Sequence, residues 1–551
     1  MLTSGPSITI APTLERQARQ EFQRYACRFA DALAREPERV DKAVAAFRST
    51  LNELNSCPSK ATLKCLLSLH VLADLVAQGW TMQVTEPTVT LTYDAPDDNV
   101  TDAKAAVRRR HLIERDSQLS EPAVTAFIKG MEQRRLTTTG WHSIYSLMRD
   151  GGDLAARLQL TTAITDNKQR LEALANIITP YLQFVEPDVR CEHTGLLLTD
   201  IWRYFRHTWT TAYRSVPGRS MMILIRDAAA PHHPVIGIAA LGSAVVQQRV
   251  RDQWIGWDSE TGVAALLQGA SASTAAWLQK ELTERIQTTY VKDLVETGIL
   301  TRKELARPTE STIARLRAEA EEAIRQHRQQ PQKALHKSHT KTGGLSNAAW
   351  EQRARTHLFR AKRCRLLAAL LGIRQVFTAH LGDTRKDALA AAFVARPFRN
   401  SVAQLLRIIK AERVGICMMD ITVCGAIAPY NALLGGKLVS ALLCSPEVTQ
   451  HYARRYGQQQ SLIASSMRGK GIIRHPDLVF LGTTSLYGVG ASQYNRIKIP
   501  VTDLGGHHDG VLEYKALGFS IGYGSFHFSN ETVAIIDTLL ARTNGGHPRR
   551  S

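Results

Sequence analysis

Ser220-Met221-Met222-Ile223-Leu224-Ile225-Arg226-Asp227, the turn Pro231-His232-His233-Pro234, and Val235-Ile236-Gly237-Ile238-Ala239-Ala240 form the stretch on which the fold turns. Two short apolar runs rich in β-branched residues, separated by a proline-bounded turn, predict an antiparallel hairpin. Upstream the period is helical: Phe22, Tyr25, Phe29 and Leu33, then Val44, Phe47, Leu51 and Leu54, then Leu63, Leu66, Leu67 and Val71. Residues 1–99 therefore read as a helical N-terminal region with short strands, and 100–210 as a second helical region. The hairpin opens a first half of an α/β core over 211–258, and 259–375 return to helix. The second half, 376–551, mixes strands expected near 415–420, 461–465 and 478–481 with helices over 430–444 and 447–456 and ends in loops. The class expected is α+β, with one mixed sheet interrupted by a helical insertion.

Charge is concentrated in that insertion. The 551 residues carry 69 Lys/Arg and 50 Asp/Glu, a net of +19, with a pI near 9.7. From Arg302 to Arg374 there are 17 basic and 6 acidic residues, so this segment holds +11 of that surplus. Such a balance excludes an acidic, cation-buffering surface and favours a polyanionic partner. Arg353, Arg355, Arg360, Lys362, Arg363 and Arg365 are the candidate phosphate contacts, for DNA or RNA. A solvated helical face is the plainer reading of such a run. Around Trp202 and Trp209, Arg203 and Arg206 interleave with aromatics as in stacking platforms, although the same aromatics fit a core-facing stripe.

The remaining composition narrows the class. A hydrophobic content of 44% builds real cores and excludes a disordered chain. Eight cysteines without a CxxC pair argue against a disulfide scaffold or structural zinc and for a reducing compartment. No secretory signal opens the chain, and the longest apolar run, 235–246, falls short of the roughly 18–20 residues of a membrane span. A cytoplasmic location without membrane contact is expected.

Several core motifs suggest a pocket. Tyr430-Asn431-Ala432-Leu433-Leu434-Gly435-Gly436-Lys437 resembles an anion-binding turn, but it lacks the glycine and hydroxyl of an ATP loop; close helix–sheet packing explains the glycines as well. Arg251-Asp252-Gln253-Trp254-Ile255-Gly256-Trp257 places an ion pair beside two tryptophans, or else makes a packing corner. Ser485 and Tyr487, with Tyr494 nearby, offer hydroxyls on loops, and either tyrosine could act as a general acid. The expected pocket is lined by Arg251, Asp252, Trp254, Trp257, Tyr430, Asn431, Gly435, Gly436, Lys437, Ser485 and Tyr487. His507, His508 and Asp509 form no metal-ligand pattern with a second cluster, so no metal is expected.

Pro217-Gly218-Arg219, the hairpin strands, Arg251-Asp252-Gln253-Trp254-Ile255-Gly256-Trp257, Ala428-Pro429-Tyr430-Asn431, Leu434-Gly435-Gly436-Lys437-Leu438, Arg455-Tyr456-Gly457 and Thr484-Ser485-Leu486-Tyr487-Gly488 together resemble the DruA family of the Druantia anti-phage defence systems. The resemblance runs over roughly residues 100–500. It implies a part in prokaryotic antiviral defence beside a helicase-like protein and other products of the same gene cluster. It also implies a core similar to the GNAT acyltransferase fold, with the 431–436 turn in the place of the acyl-coenzyme A pyrophosphate loop. That turn departs from the acyltransferase pattern, so no cofactor is predicted and the enzyme class stays open. An acyl-coenzyme A transferase and a scaffold for partner proteins are the alternatives to nucleic-acid binding; homo-oligomerisation is left open.

Overall fold

The computed structural model describes residues 7–53, 59–85, 88–92, 115–116, 118–209, 218–329, 345–381, 386–484, 493–518 and 528–543. The chain divides into two units, one of residues 1–105, 328–331 and 519–551, the other of 106–327 and 332–518.

In the first unit, strands β1 (Ser7–Ile10), β2 (Thr81–Thr85) and β3 (Thr88–Thr92) form an antiparallel sheet in the order β1-β3-β2. The helices Arg16–Arg35, Val40–Glu53 and Lys60–Ala77 follow the apolar spacing of the sequence and bury Phe22, Phe29, Leu51 and Leu66. Ser59 caps the third helix by accepting from the Thr62 amide. A fourth helix, Asn530–Thr543, adds Ile535 to this core. Buried Asp74 fixes its start, accepting from the Ser529 amide at 2.9 Å and the Thr532 hydroxyl at 2.7 Å. The helix Asn530–Thr543 thus packs with the N-terminal helices.

The second unit holds a five-stranded sheet of β6 (Pro180–Val185), β7 (Ser220–Asp227), β8 (Val235–Ser243), β9 (Met418–Ala426) and β10 (Phe480–Thr483), ordered β10-β9-β8-β7-β6. A small hairpin, β4 (Arg135–Thr137) with β5 (Gly140–His142), precedes it, and β11 (Lys498–Pro500) pairs with β12 (Val511–Glu513) after it. The hairpin read from the sequence is present, with Leu224 opposite Ile238. Strand β8 then pairs antiparallel with β9 across the whole insertion, and β9 pairs parallel with β10. Period-two alternation sends Met221, Ile223 and Ile225 into one core and Leu224 into the other. The helix Leu198–His207 covers one face; the helices Lys437–Leu442 and Pro446–Tyr456 cover the opposite one. Buried on both faces, β7 and β8 are apolar almost throughout.

Two local readings change. Residues 461–465 are not a strand: Ser461 accepts from the Ala464 amide and caps the helix Leu462–Arg468. The strand expected at 415–420 starts only at Met418, because the helix Arg396–Cys417 runs directly into it.

The insertion has its own core of Leu278, Leu282, Leu316, Leu367, Leu371, Phe398 and Leu405. Its central helix, His357–Leu381, is long and apolar enough to cross a membrane by length and composition alone. It is a longer apolar segment than the 235–246 run. Its apolar positions, among them Cys364, Leu367, Leu370 and Leu371, are buried against neighbouring helices instead. Leu367→Ala would therefore leave a cavity and cost about 2–5 kcal/mol.

Candidate nucleic-acid interface and core site

The arginines expected to meet phosphate are largely held by carboxylates of the same chain. Arg363 is fully buried, donating through Nη1 to Asp293 Oδ1 at 2.8 Å and through Nη2 to Asp293 Oδ2 at 2.6 Å. Arg360 reaches Asp293 Oδ2 at 3.1 Å and also pairs with Glu319. Arg355 forks onto Glu296 at 2.9 and 3.3 Å, which together with the Tyr290 hydroxyl holds its guanidinium firmly charged. Arg365 bonds Glu321 at 2.8 Å, and buried Arg353 donates to the Ser466 hydroxyl at 3.0 Å. Lys362 is exposed and rests its ammonium 5.1 Å from the Phe359 ring centre.

This corrects the expectation of a phosphate-facing stripe. A helix that buries an apolar face rotates some of its cations inward, and a guanidinium taken out of water needs a counter-charge. Arg363, Arg360 and Arg353 are withdrawn from solvent, while Arg355 and Arg365 are half-exposed but already paired. Elsewhere in the insertion Arg315 pairs with Glu304 and Arg325 with Glu322. Hydrogen bonds, led by that from the Thr312 hydroxyl, hold the Glu304 carboxyl down at about 2.

The helix Leu198–His207 buries Ile201, Trp202, Tyr204 and Phe205, the core-facing stripe, and takes Arg206 inside with them. Arg203 alone of the two stays exposed, its guanidinium 4.1 Å from the Phe127 ring centre.

The residues expected to share a core pocket fall into separate clusters. Buried Arg251 donates to Asp252 Oδ1 at 2.7 Å and to the Val245 carbonyl at 2.8 Å. Asp252 is also bound by Lys410 at 2.8 Å, so two cations share one carboxylate. Trp257 packs with Ile255 against Ala244, Val414 and Met418, whereas Trp254 is exposed beside Lys515. The motif is a packing corner joining β8 to the helix Arg396–Cys417.

Tyr430 belongs to a second buried cluster that sequence reading missed. Asp227, at the end of β7, accepts from Arg149 Nη1 at 2.7 Å and from the Tyr430 hydroxyl at 2.8 Å. The amides of Thr179 and Ala229 complete its shell at 2.9 and 3.0 Å. Burial, followed by the bond to Asp227, pushes the Tyr430 hydroxyl far above its ordinary range. The available signal was the charged pair Arg226-Asp227 ending a largely apolar strand.

The glycine turn is filled from within the chain. A Cβ on Gly436 would run into the end of the Gln493 side chain, which would have to shift to admit it. Gln493 in turn donates to the Cys424 carbonyl at 3.2 Å, and Lys437 donates to the Asn495 carbonyl. Asn431 is exposed, and Gly435 takes the left-handed conformation with φ +67°. Strand β9, this turn and the helix Lys437–Leu442 do make a strand–loop–helix. The six-residue helix and the seated Gln493 do not fit the pyrophosphate of an acyl-coenzyme A, so no chemistry is routed through one. Tyr494 is half-buried against Tyr514, with ring centres 4.9 Å apart, and desolvation raises its hydroxyl far above the ordinary range, unlike a poised general acid. Ser485 and Tyr487 lie outside the described residues. His507, His508 and Asp509 are exposed, and no group of three ligand-type side chains converges among the described residues.

A cleft of about 560 Å³ lies instead between the β4–β5 hairpin and the loop before the Leu198–His207 helix, lined by Arg135, Thr137, Arg190, Gly195 and Asp200. None of the nine expected pocket residues that are described lines it.

The architecture is thus an α+β core whose sheet is divided in sequence by a helical insertion that pairs several of its own arginines. The model of a family described as Druantia protein DruA matches residues 154–274 and 404–544, on either side of most of the insertion. Over these two segments the chain is similar to the DruA family. A curated relative, Druantia protein DruA of Escherichia coli (strain UMEA 4076-1), is 36% identical over 110 residues. The aligned stretch is 20% of this chain and 23% of that relative's length. No solved structure matches the chain.

Proposed function

We propose that this chain is a component of a Druantia anti-phage defence system that engages nucleic acid and acts with a helicase-like partner from the same gene cluster. The observation that carries the reading is the family match on both sides of the insertion, 154–274 and 404–544, because those segments supply strands of one sheet. The net charge of +19 supports a polyanionic partner. The chemistry proposed is binding: the core aspartates Asp227 and Asp252 are saturated by internal donors, as a scaffold requires and a proton-transfer site does not.

The test is a phage plaque assay on cells carrying the whole gene cluster, against cells in which this gene alone is deleted. Protection that disappears with the deletion and returns with the gene in trans supports the role. Undiminished protection without the gene contradicts it. Binding is read separately, by titrating labelled DNA and RNA at several salt concentrations.

A further inference from the structure

Four of the insertion's clustered arginines, Arg355, Arg360, Arg363 and Arg365, are paired with acids, which turns attention to a second basic region. From Arg396 to Arg474 there are eleven basic residues and three acidic ones. The helix Arg396–Cys417 ends beside the segment that follows the helix Leu462–Arg468. Arg474 crosses from that segment to donate through Nη1 to the Glu412 carbonyl at 3.1 Å, and it lies over Gly415. Exposed Arg413 is the next residue on the helix, and half-exposed Arg468 ends the facing one. Beneath them Arg219 donates to the Met418 carbonyl at 3.2 Å.

No carboxylate among the described residues pairs with any of these four guanidiniums. The nearest acid, Glu412, has its carboxylate bonded to Arg285 at 2.8 Å, and Arg285 also holds Glu281. That trio carries one net negative charge against four positives. The helix C-terminus adds a partial negative charge, which Arg219 and Arg474 already meet. The crowding has an electrostatic signature: burial first, then Arg468 and Arg413, push the Arg474 pKa down, with Glu412 opposing. A guanidinium has five N–H donors, and Arg474 uses one of them among the described residues.

We propose that Arg413, Arg468 and Arg474 form a phosphate-binding patch that takes the backbone of a nucleic acid. The proposal rests on the nucleic-acid reading above and names the surface that performs it. Like charges held together without an acid are stabilised by an anion that brings the missing charge. Guanidiniums on two elements can span successive phosphates, with Arg219 and the helix carbonyls fixing the platform.

The experiment measures binding of a labelled 30-mer duplex and a labelled single-stranded RNA, over a range of salt, to the full chain and to two triple variants. One carries Arg413→Gln, Arg468→Gln and Arg474→Gln; the other carries Arg355→Gln, Lys362→Gln and Arg365→Gln in the insertion. The patch variant is expected to lose about 2–3 from the slope of log affinity against log salt on duplex, and the insertion variant less than about one. Wild-type slope in the patch variant overturns the patch and leaves the broader reading standing. No binding by the wild-type chain overturns both. Equal, patch-dependent capture of polyglutamate would make the ligand an acidic polypeptide and overturn the phosphate assignment. Arg413→Glu, an exposed single change, repeats the comparison if the triple variant does not fold; unchanged affinity there also counts against the patch.

Discussion

The helical insertion and the junction between the Arg396–Cys417 helix and β10 are both rich in arginine, yet they use it in opposite ways. In the insertion Arg355, Arg360, Arg363 and Arg365 each have a carboxylate partner, supplied by Glu296, Asp293, Glu319 and Glu321. At the junction Arg219, Arg413, Arg468 and Arg474 have none among the described residues. Density of positive charge along a sequence is therefore a poor guide to where a field emerges. The deciding quantity is which cations the fold leaves uncompensated.

Removing shared acids breaks the comparison most directly. Asp252→Ala would strand buried Arg251 and Lys410 together and is expected to cost about 3–5 kcal/mol by chemical denaturation. A loss below about 1 kcal/mol would mean that the corner tolerates free charge. Tyr430→Phe removes one of four donors to Asp227 and should cost about 1 kcal/mol, because Arg149 and two amides remain. Glu304→Gln sharpens the pH side. The native carboxyl is depressed to about 2 from 4.5, so its contribution is present above pH 4.5 and disappears as pH falls towards 2. The difference in melting temperature between wild type and variant should accordingly close over that interval. Arg365→Gln, at an exposed pair, should change stability by no more than about 0.5 kcal/mol.

Much of the sheet was legible because burial on both faces leaves short apolar, β-branched runs bounded by turns, as in 220–227 and 235–243. The first three helices were legible from spacing alone. Residues 461–465 were misread since five apolar and small residues fit either a strand or a helical turn, and the capping by Ser461 decided it. The charge partners were illegible for a different reason. Arg363 meets Asp293 across 70 residues and Arg360 meets Glu319 across 41, so no local window contains both members. The same distance hid the filling of the glycine turn, where Lys437 meets Asn495 across 58 residues. The C-terminal helix likewise gave no local sign that Ile535 joins the N-terminal core.

The most direct test is a double-mutant cycle on Arg363 and Asp293, measured by equilibrium unfolding. If the insertion's arginines are structural counter-ions, Arg363→Met and Asp293→Leu should each cost about 3–5 kcal/mol, and the double variant should recover several of those kcal/mol. Two small, additive losses would contradict the account, showing that the buried pair does not hold the insertion together.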